Sequence, residues 1–307
     1  MAYGGSQIAA LPRPSKNIEP VSGAGLVAGH PYAIEVCDAG RLLINARFRR
    51  MLEANRLTTF AALFHVAGGE LVRAVGSRTT TRVDLQAGAD EQTFFLKRHR
   101  PAGLFERLKP LFHLSRSIVG ARNEWEAILR FHAAGLPTMT PVAFGEFQGH
   151  SLVMTQDLKA DQTLLDWVNE TAGNRRPAVP NEAADSRPIK RELIHRVAAI
   201  SRRMHDCGLC HQDFYLNHLL CCGDPARLDV RVIDLGRVRW RPKSSLRSIV
   251  KDLAQLDYSA RGLSCADRLR FLRLYLGRPF RPADRWLVRW IVMKSKHIAA
   301  HTAKNGL

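Results

Sequence analysis

The chain of 307 residues predicts an α+β fold, with a strand-rich first half carrying one main helix and a mostly helical second half. Two observations predict it. Runs of β-branched and aromatic residues, separated by turn residues, crowd between Glu70 and Leu158, and from Thr163 onward apolar residues recur at helical spacing. The length suffices to bury a large core. At 46% apolar, with no run approaching the roughly 18 apolar residues that a spanning helix needs, the sequence reads as globular and not membrane-spanning.

Taken in order, the first residues are rich in Gly, Pro and Ala without a usable period, and 1–40 read as an extension lacking fixed structure. No basic start or apolar segment marks an export signal, so the expected location is cytoplasmic. From Arg41 to Phe64 the apolar residues Leu42, Leu43, Phe48, Met51, Leu52, Phe60 and Leu63 predict one or two short helices. ELVRAV, TTTRVDL and QTFFLKRH then form an antiparallel meander, the third strand closing on Lys97.

Residues 101–121 are basic and amphipathic, compatible with a packed surface helix or with contact at an anionic membrane surface. Ala121 to Gly135 is a patterned helix with Glu124 early in it, stopped by Gly135 and Pro137. PVAFGEF and HSLVMTQDL add two strands, which makes five. Helices follow at Thr163 to Asn169 and Ile189 to His205, with a mobile loop about 171–187 between them. Two apolar runs, Leu216 to Cys221 and Val230 to Leu235, carry Asp213 before the first and Asp234 at the end of the second. Helical patterns from Ile249, Ala266 and Ala283 complete the chain.

Forty-six Lys and Arg against twenty-eight Asp and Glu give +18, which implies a polyanionic partner: nucleic acid, an acidic membrane surface or a phosphorylated glycolipid. Cys207-x-x-Cys210, Cys221-Cys222 and the nearby His205, His211 and His218 raise a zinc site, against which adjacent cysteines in an apolar strand read as small core residues.

Lys97, Glu124, His211-Gln212-Asp213 and Asp234-Leu235-Gly236 stand in the order in which phosphoryl transfer needs a phosphate-holding cation, its orienting acid, an acceptor-side carboxylate and a metal-side carboxylate. The order resembles that of a bilobal protein kinase-like fold, which divides the chain into an N-lobe at 41–157 and a C-lobe at 158–307. More closely, HQDFYLNH at 211–218, FFLKRHR at 94–100, NEWEAI at 123–128 and KDLAQLDYSA at 251–260 are similar to the lipopolysaccharide core kinases, the heptose and Kdo kinase family.

That resemblance implies an ATP-dependent phosphotransferase acting on a sugar hydroxyl of the lipopolysaccharide inner core, with Mg²⁺ as its ion. Its partner would be an anionic glycolipid rather than nucleic acid, met at the inner face of a membrane. It gives Asp213 the catalytic role, Lys97, oriented by Glu124, the phosphates, Met154 and Gln156 of the connector the adenine, and Asp234 with His218 the metal. Asn217 is the alternative ligand to His218. His211 and Asp252 support the site. In place of a glycine-rich loop, Gly76-Ser77-Arg78-Thr79-Thr80-Thr81-Arg82 occupies the turn, with Arg78 or Arg82 available to phosphate. Gln212 stands where kinases usually carry arginine, so control through activation-loop phosphorylation is not expected. Two other readings stay open: an atypical protein kinase, and an anion-binding module without catalysis.

Overall fold

The computed structural model describes residues 28–101, 120–172, 186–222 and 229–304. Seven antiparallel strands form its main sheet: β1 (Ile34–Cys37), β2 (Leu42–Asn45), β3 (Glu70–Val75), β4 (Arg78–Ala87), β5 (Asp90–His99), β6 (Pro141–Phe147) and β7 (His150–Gln156). They lie in the order β1-β2-β6-β7-β5-β4-β3. Alternation along β4 and β5 explains how the sheet serves two cores at once. Val83, Leu85, Phe94 and Leu96 point to one face, under the short helices α1 (Arg49–Ala54) and α2 (Phe60–Phe64), where they meet Phe48, Leu52 and Leu63. Phe144 and Val153 point to the other, against Trp125 and Ile128 of α3 (Arg122–Ala133).

All five expected strands are present, and β1 and β2 extend the sheet beyond them. β2 falls where helix was expected. Its four residues are all buried between β1 and β6, and so short an apolar run has no alternation to separate strand from helix. β1 lies inside the stretch expected to lack structure, while residues 1–27 are outside the described residues. Most of the basic amphipathic stretch (102–119) and of the expected mobile loop (173–185) are outside them too.

The second half is built from helices α4 (Leu164–Ala172), α5 (Ser186–Asp206), α6 (Leu246–Ser259), α7 (Cys265–Leu276) and α8 (Arg285–Lys304). Short strands are inserted among them: β8 (Ala160–Thr163), β9 (Leu209–Cys210), β10 (Leu219–Cys222), β11 (Asp229–Val232) and β12 (Arg239–Trp240). β10 is the centre of a small sheet with β11 and β8, and β9 pairs with β12. The two halves are joined by more than apolar packing. Thr138 is buried and donates through its hydroxyl to the Val232 carbonyl at 2.6 Å, while the Val232 amide donates to Pro137 at 3.0 Å. These bonds fix β11, and with it the segment bearing Asp234, against the end of α3. No described helix is long and apolar enough to cross a membrane.

Gly208, at φ +76°, turns the chain from α5 into β9. Its carbonyl accepts from the Arg241 amide at 3.0 Å, and a Cβ at this position would be driven into the Arg241 carbonyl oxygen. Only glycine satisfies both the left-handed backbone and the close approach. Gly208→Ala is therefore expected to cost more than about 1 kcal/mol, the usual penalty where φ is positive, because the β9–β12 pairing must also open. Chemical denaturation checks it, and an unchanged midpoint would contradict it.

Candidate functional site

Four segments converge on one cleft. On β5, the pleat that buries Leu96 turns Lys97 to the α3 face. There its Nζ donates to Glu124 Oε1 at 2.7 Å and to Asp234 Oδ1 at 3.2 Å. Glu124 sits in the first turn of α3 and is only 3% exposed. Burial pushes its carboxyl up, and the Lys97 ammonium opposes that shift. Burial would depress Lys97, but the two carboxylates outweigh it and hold the ammonium well above its ordinary range. At Asp234 burial acts upward, yet Lys97 and His218 bring the carboxyl down to about 2. Against an unfolded aspartate near about 3.9, this favours the folded state above that value, and the contribution is lost as pH falls toward about 2.

Asp234 adopts left-handed backbone, φ 57° and ψ 57°, a conformation that costs a non-glycine residue about 1–3 kcal/mol and persists only where its surroundings enforce it. The surroundings are specific. The Ile233 amide donates to the His218 carbonyl at 3.0 Å. On the far side of the aspartate, the Asn123 amide group donates to the Gly236 and Val238 carbonyls at 2.9 and 3.1 Å. Adjacent residues of α3, Asn123 and Glu124, thus hold the segment and contact the cation that it meets.

Residues 211–216 are suspended from α6. Asp252, fully buried, accepts from the amides of His211 and Gln212, both at 2.8 Å. One turn on, Gln255 accepts from the Phe214 amide at 2.9 Å and donates to the Gln212 carbonyl at 3.1 Å. Another turn on, Ser259 Oγ accepts from the Leu216 amide at 3.0 Å. Residues 252, 255 and 259 share one helical face, so a single rigid element satisfies successive loop amides that no regular structure would pair. Gln212, at φ 67°, is the strained residue this suspension permits.

His211 is fully buried. Its ring bonds the Ile233 carbonyl through Nε2 at 3.0 Å and accepts from the Asp213 amide at Nδ1. Burial holds it below the usual imidazole range, which suits an architectural group. Asp213 itself is partly open to solvent, with Arg237 3.5 Å from its Oδ1. His218 faces the same space. Its Nδ1 lies 2.7 Å from the Asp213 carbonyl and its Nε2 3.7 Å from Asp234 Oδ2. Asn217 is exposed. Asp213, His218 and Asp234 each offer a ligand atom within 4.8 Å of the others, and this set of two carboxylates and an imidazole fits a small divalent cation.

The structure brings together Lys97, Glu124, Asp213, His218 and Asp234, with His211 and Asp252 behind them. It does not bring the Met154 side chain to them. Met154 is fully buried on the α1–α2 face of the sheet, in register with Leu96 on one side and Ala143 on the other. Gln156 ends β7 and donates to Gln92 at 3.1 Å. Thr79 to Arg82 belong to β4, so the turn is just Gly76-Ser77, a tighter connection than expected. Arg78 opens β4, and its charge acts on Glu124.

The cysteines and histidines split in two. Cys221 and Cys222 are buried in β10. His205, Cys210 and Asp252 lie together: His205 meets Asp252 through one ring nitrogen and Tyr275 through the other, and Cys210 meets Ser244. Gln255, Ser259, Asn123 and the Arg237 contact to Asp213 were not assigned from sequence.

With this geometry in hand, likeness to known proteins is informative. Residues 67–275 match the lipopolysaccharide kinase (Kdo/WaaP) family. The chain is 34% identical over 284 residues to the lipopolysaccharide core heptose(I) kinase WaaP of Pseudomonas aeruginosa strain PAO1, covering 87% of this chain and 98% of that one. It is also 34% identical over 253 residues to the WaaP of Escherichia coli K12, covering 78% and 91%. A solved structure described as WaaP in complex with acyl carrier protein aligns with a TM-score of 0.64 at 32% identity, over 84% of this chain and 98% of that one. The chain belongs to the lipopolysaccharide kinase (Kdo/WaaP) family.

Proposed function

We propose that this chain phosphorylates a heptose hydroxyl of the lipopolysaccharide inner core at the expense of ATP. The observation that carries the reading is the meeting of Lys97, Glu124, Asp213 and Asp234 in one cleft, within a family whose members include heptose(I) kinases. The seven-stranded sheet with α3 would form one lobe of a kinase-like fold and the helical half the other, with nucleotide between them. Lys97, already oriented by Glu124, would exchange its contact with Asp234 for the nucleotide phosphates. Asp234 and His218 would hold Mg²⁺ or a similar ion. When bound, such an ion neutralises charge building on the transferred phosphoryl group. Asp213 would accept the proton of the attacking hydroxyl and hold it in line. Arg237, beside Asp213, is placed to attract an acceptor that already carries negative charge, in keeping with the net charge of +18.

A partner reading is favoured by one further feature. Among α4, α5, α6, α7 and α8 lies an almost wholly apolar cavity of about 330 Å³, lined by Trp167, Val168, Ile194, Leu256, Phe271 and Val292, among others. Its apolar lining suits a hydrocarbon chain, and because a WaaP structure is described as a complex with acyl carrier protein, we take a carrier-borne acyl group as the occupant to test.

With γ-labelled ATP and a panel of dephosphorylated lipopolysaccharide core, Kdo-lipid A and a generic protein, label is expected on the heptose of the core. Asp213→Asn is expected to lower kcat by about 10²–10⁴-fold while nucleotide binding persists. Label on protein alone would favour an atypical protein kinase, and wild-type turnover by the variant would remove Asp213 from catalysis. For the cavity, titration calorimetry is expected to show binding of a long-chain acylated carrier protein that Ile194→Trp weakens; equal binding of the unacylated carrier would contradict it.

A further inference from the structure

Helix α8 carries two apolar lines, and only one of them is used by the fold. Leu287, Ile291 and Ile298 turn inward and pack with Val250, Leu253 and Ala254 of α6. At about 3.6 residues to the turn, Trp286, Trp290, Met293 and His297 fall on a second line along the same helix, and this one faces solvent. Trp286 is 45% exposed, Trp290 51% and Met293 64%. A single exposed apolar side chain is ordinary, but three in one line make a contiguous patch of the kind that marks an interaction surface.

The charges beside this stripe are all of one sign. Arg285, Arg289 and Lys296 run along one side of it and Lys294 lies on the other. All four are exposed, and none is in an ion pair among the described residues. The helix contains no acidic residue. A folded protein partner is matched by charges of both signs set at particular places. A convex row of two indoles between flanks that are only cationic matches instead a fluid surface of uniform negative charge, where indole rings settle at headgroup level and Lys and Arg reach phosphate.

We propose that this stripe of α8 docks the protein on the surface of an anionic bilayer, with Trp286, Trp290 and Met293 entering the headgroup region and the four flanking cations meeting lipid phosphate. The helix would lie along the surface, since it is not apolar enough to cross. The stripe is distinct from the apolar cavity, which α8 lines through Val288, Ile291 and Val292 on its other flank. Docking also bears on the cleft. The helix α6 that packs on α8 suspends the Asp213 loop through Asp252, Gln255 and Ser259, so the docking helix and the loop are held by one rigid element. The proposal stands on α8 and does not depend on the kinase reading.

Co-sedimentation of the full chain with vesicles tests it. Vesicles of phosphatidylcholine mixed with phosphatidylglycerol are expected to bind the chain at least about tenfold more tightly than phosphatidylcholine alone, and added salt to weaken that binding. On the mixed vesicles, indole emission of the wild-type protein is expected to shift to the blue and to be quenched by brominated lipid. The paired variants Trp286→Ala with Trp290→Ala, and Arg289→Gln with Lys296→Gln, are each expected to weaken binding by about tenfold or more with an unchanged circular dichroism spectrum. Equal binding to the two kinds of vesicle, no quenching by brominated lipid, or undiminished binding by both variants would overturn the proposal. A wild-type chain that ignores vesicles and forms a dimer broken by the tryptophan variants would assign the stripe to a second copy and equally overturn it. No catalysis is read, so failure here leaves the kinase reading standing.

Discussion

One ammonium group holds this molecule's working parts in register. Glu124 is a carboxylate taken almost completely out of water, and such a group is tolerable only beside a compensating charge. Lys97 supplies that charge from the sheet, and its second contact, to Asp234, reaches into the helical half. Three segments distant in sequence thereby share one electrostatic minimum. Remove the cation and Glu124 is left buried and uncompensated, a defect of about 3–5 kcal/mol that the protein would relieve by protonating the carboxyl. The orientation of the Lys97 ammonium and the folding of the cleft are in this sense the same interaction.

The Asp213 side of the cleft is held by a different device, hydrogen bonds to main chain. A loop that presents Asp213 has amides with no ladder to join, and α6 meets them with Asp252, Gln255 and Ser259. Asp252 is in turn fixed by His205, whose other nitrogen meets Tyr275 of α7. The loop therefore inherits the rigidity of helices packed on their apolar sides. Left-handed backbone at Gln212 lies where these supports act, and that at Asp234 where Asn123 holds the following residues.

Residues that a local motif marks, and that the structure brings into one cleft, were legible in the sequence. Lys97 closes an apolar strand, Glu124 opens a patterned helix, and Asp213 and Asp234 bracket two strand-like runs. The strands β3 to β7 were also expected, with β4 and β5 the clearest because they alternate. β2 did not, since four buried residues carry no period. The side-chain direction of Met154 was not legible for the same reason: a continuous buried run at 151–155 gives no sign of which face each side chain takes, and register with Leu96 and Ala143 decides it. Gln255, Ser259 and Asn123 were hidden for another reason. Each acts on backbone far away in sequence, and side chain to main chain bonds leave no complementary residue type to recognise.

The central claim is that Glu124 serves the site through Lys97, and a double-mutant cycle tests it most directly. Lys97→Met, Glu124→Gln and the double variant would be compared in kcat/KM for ATP, with circular dichroism to confirm folding. The account predicts that Glu124→Gln lowers kcat/KM in the wild-type background and has little further effect once Lys97 is methionine. Losses that simply multiply in the double variant would mean that the two residues act independently, and would contradict it.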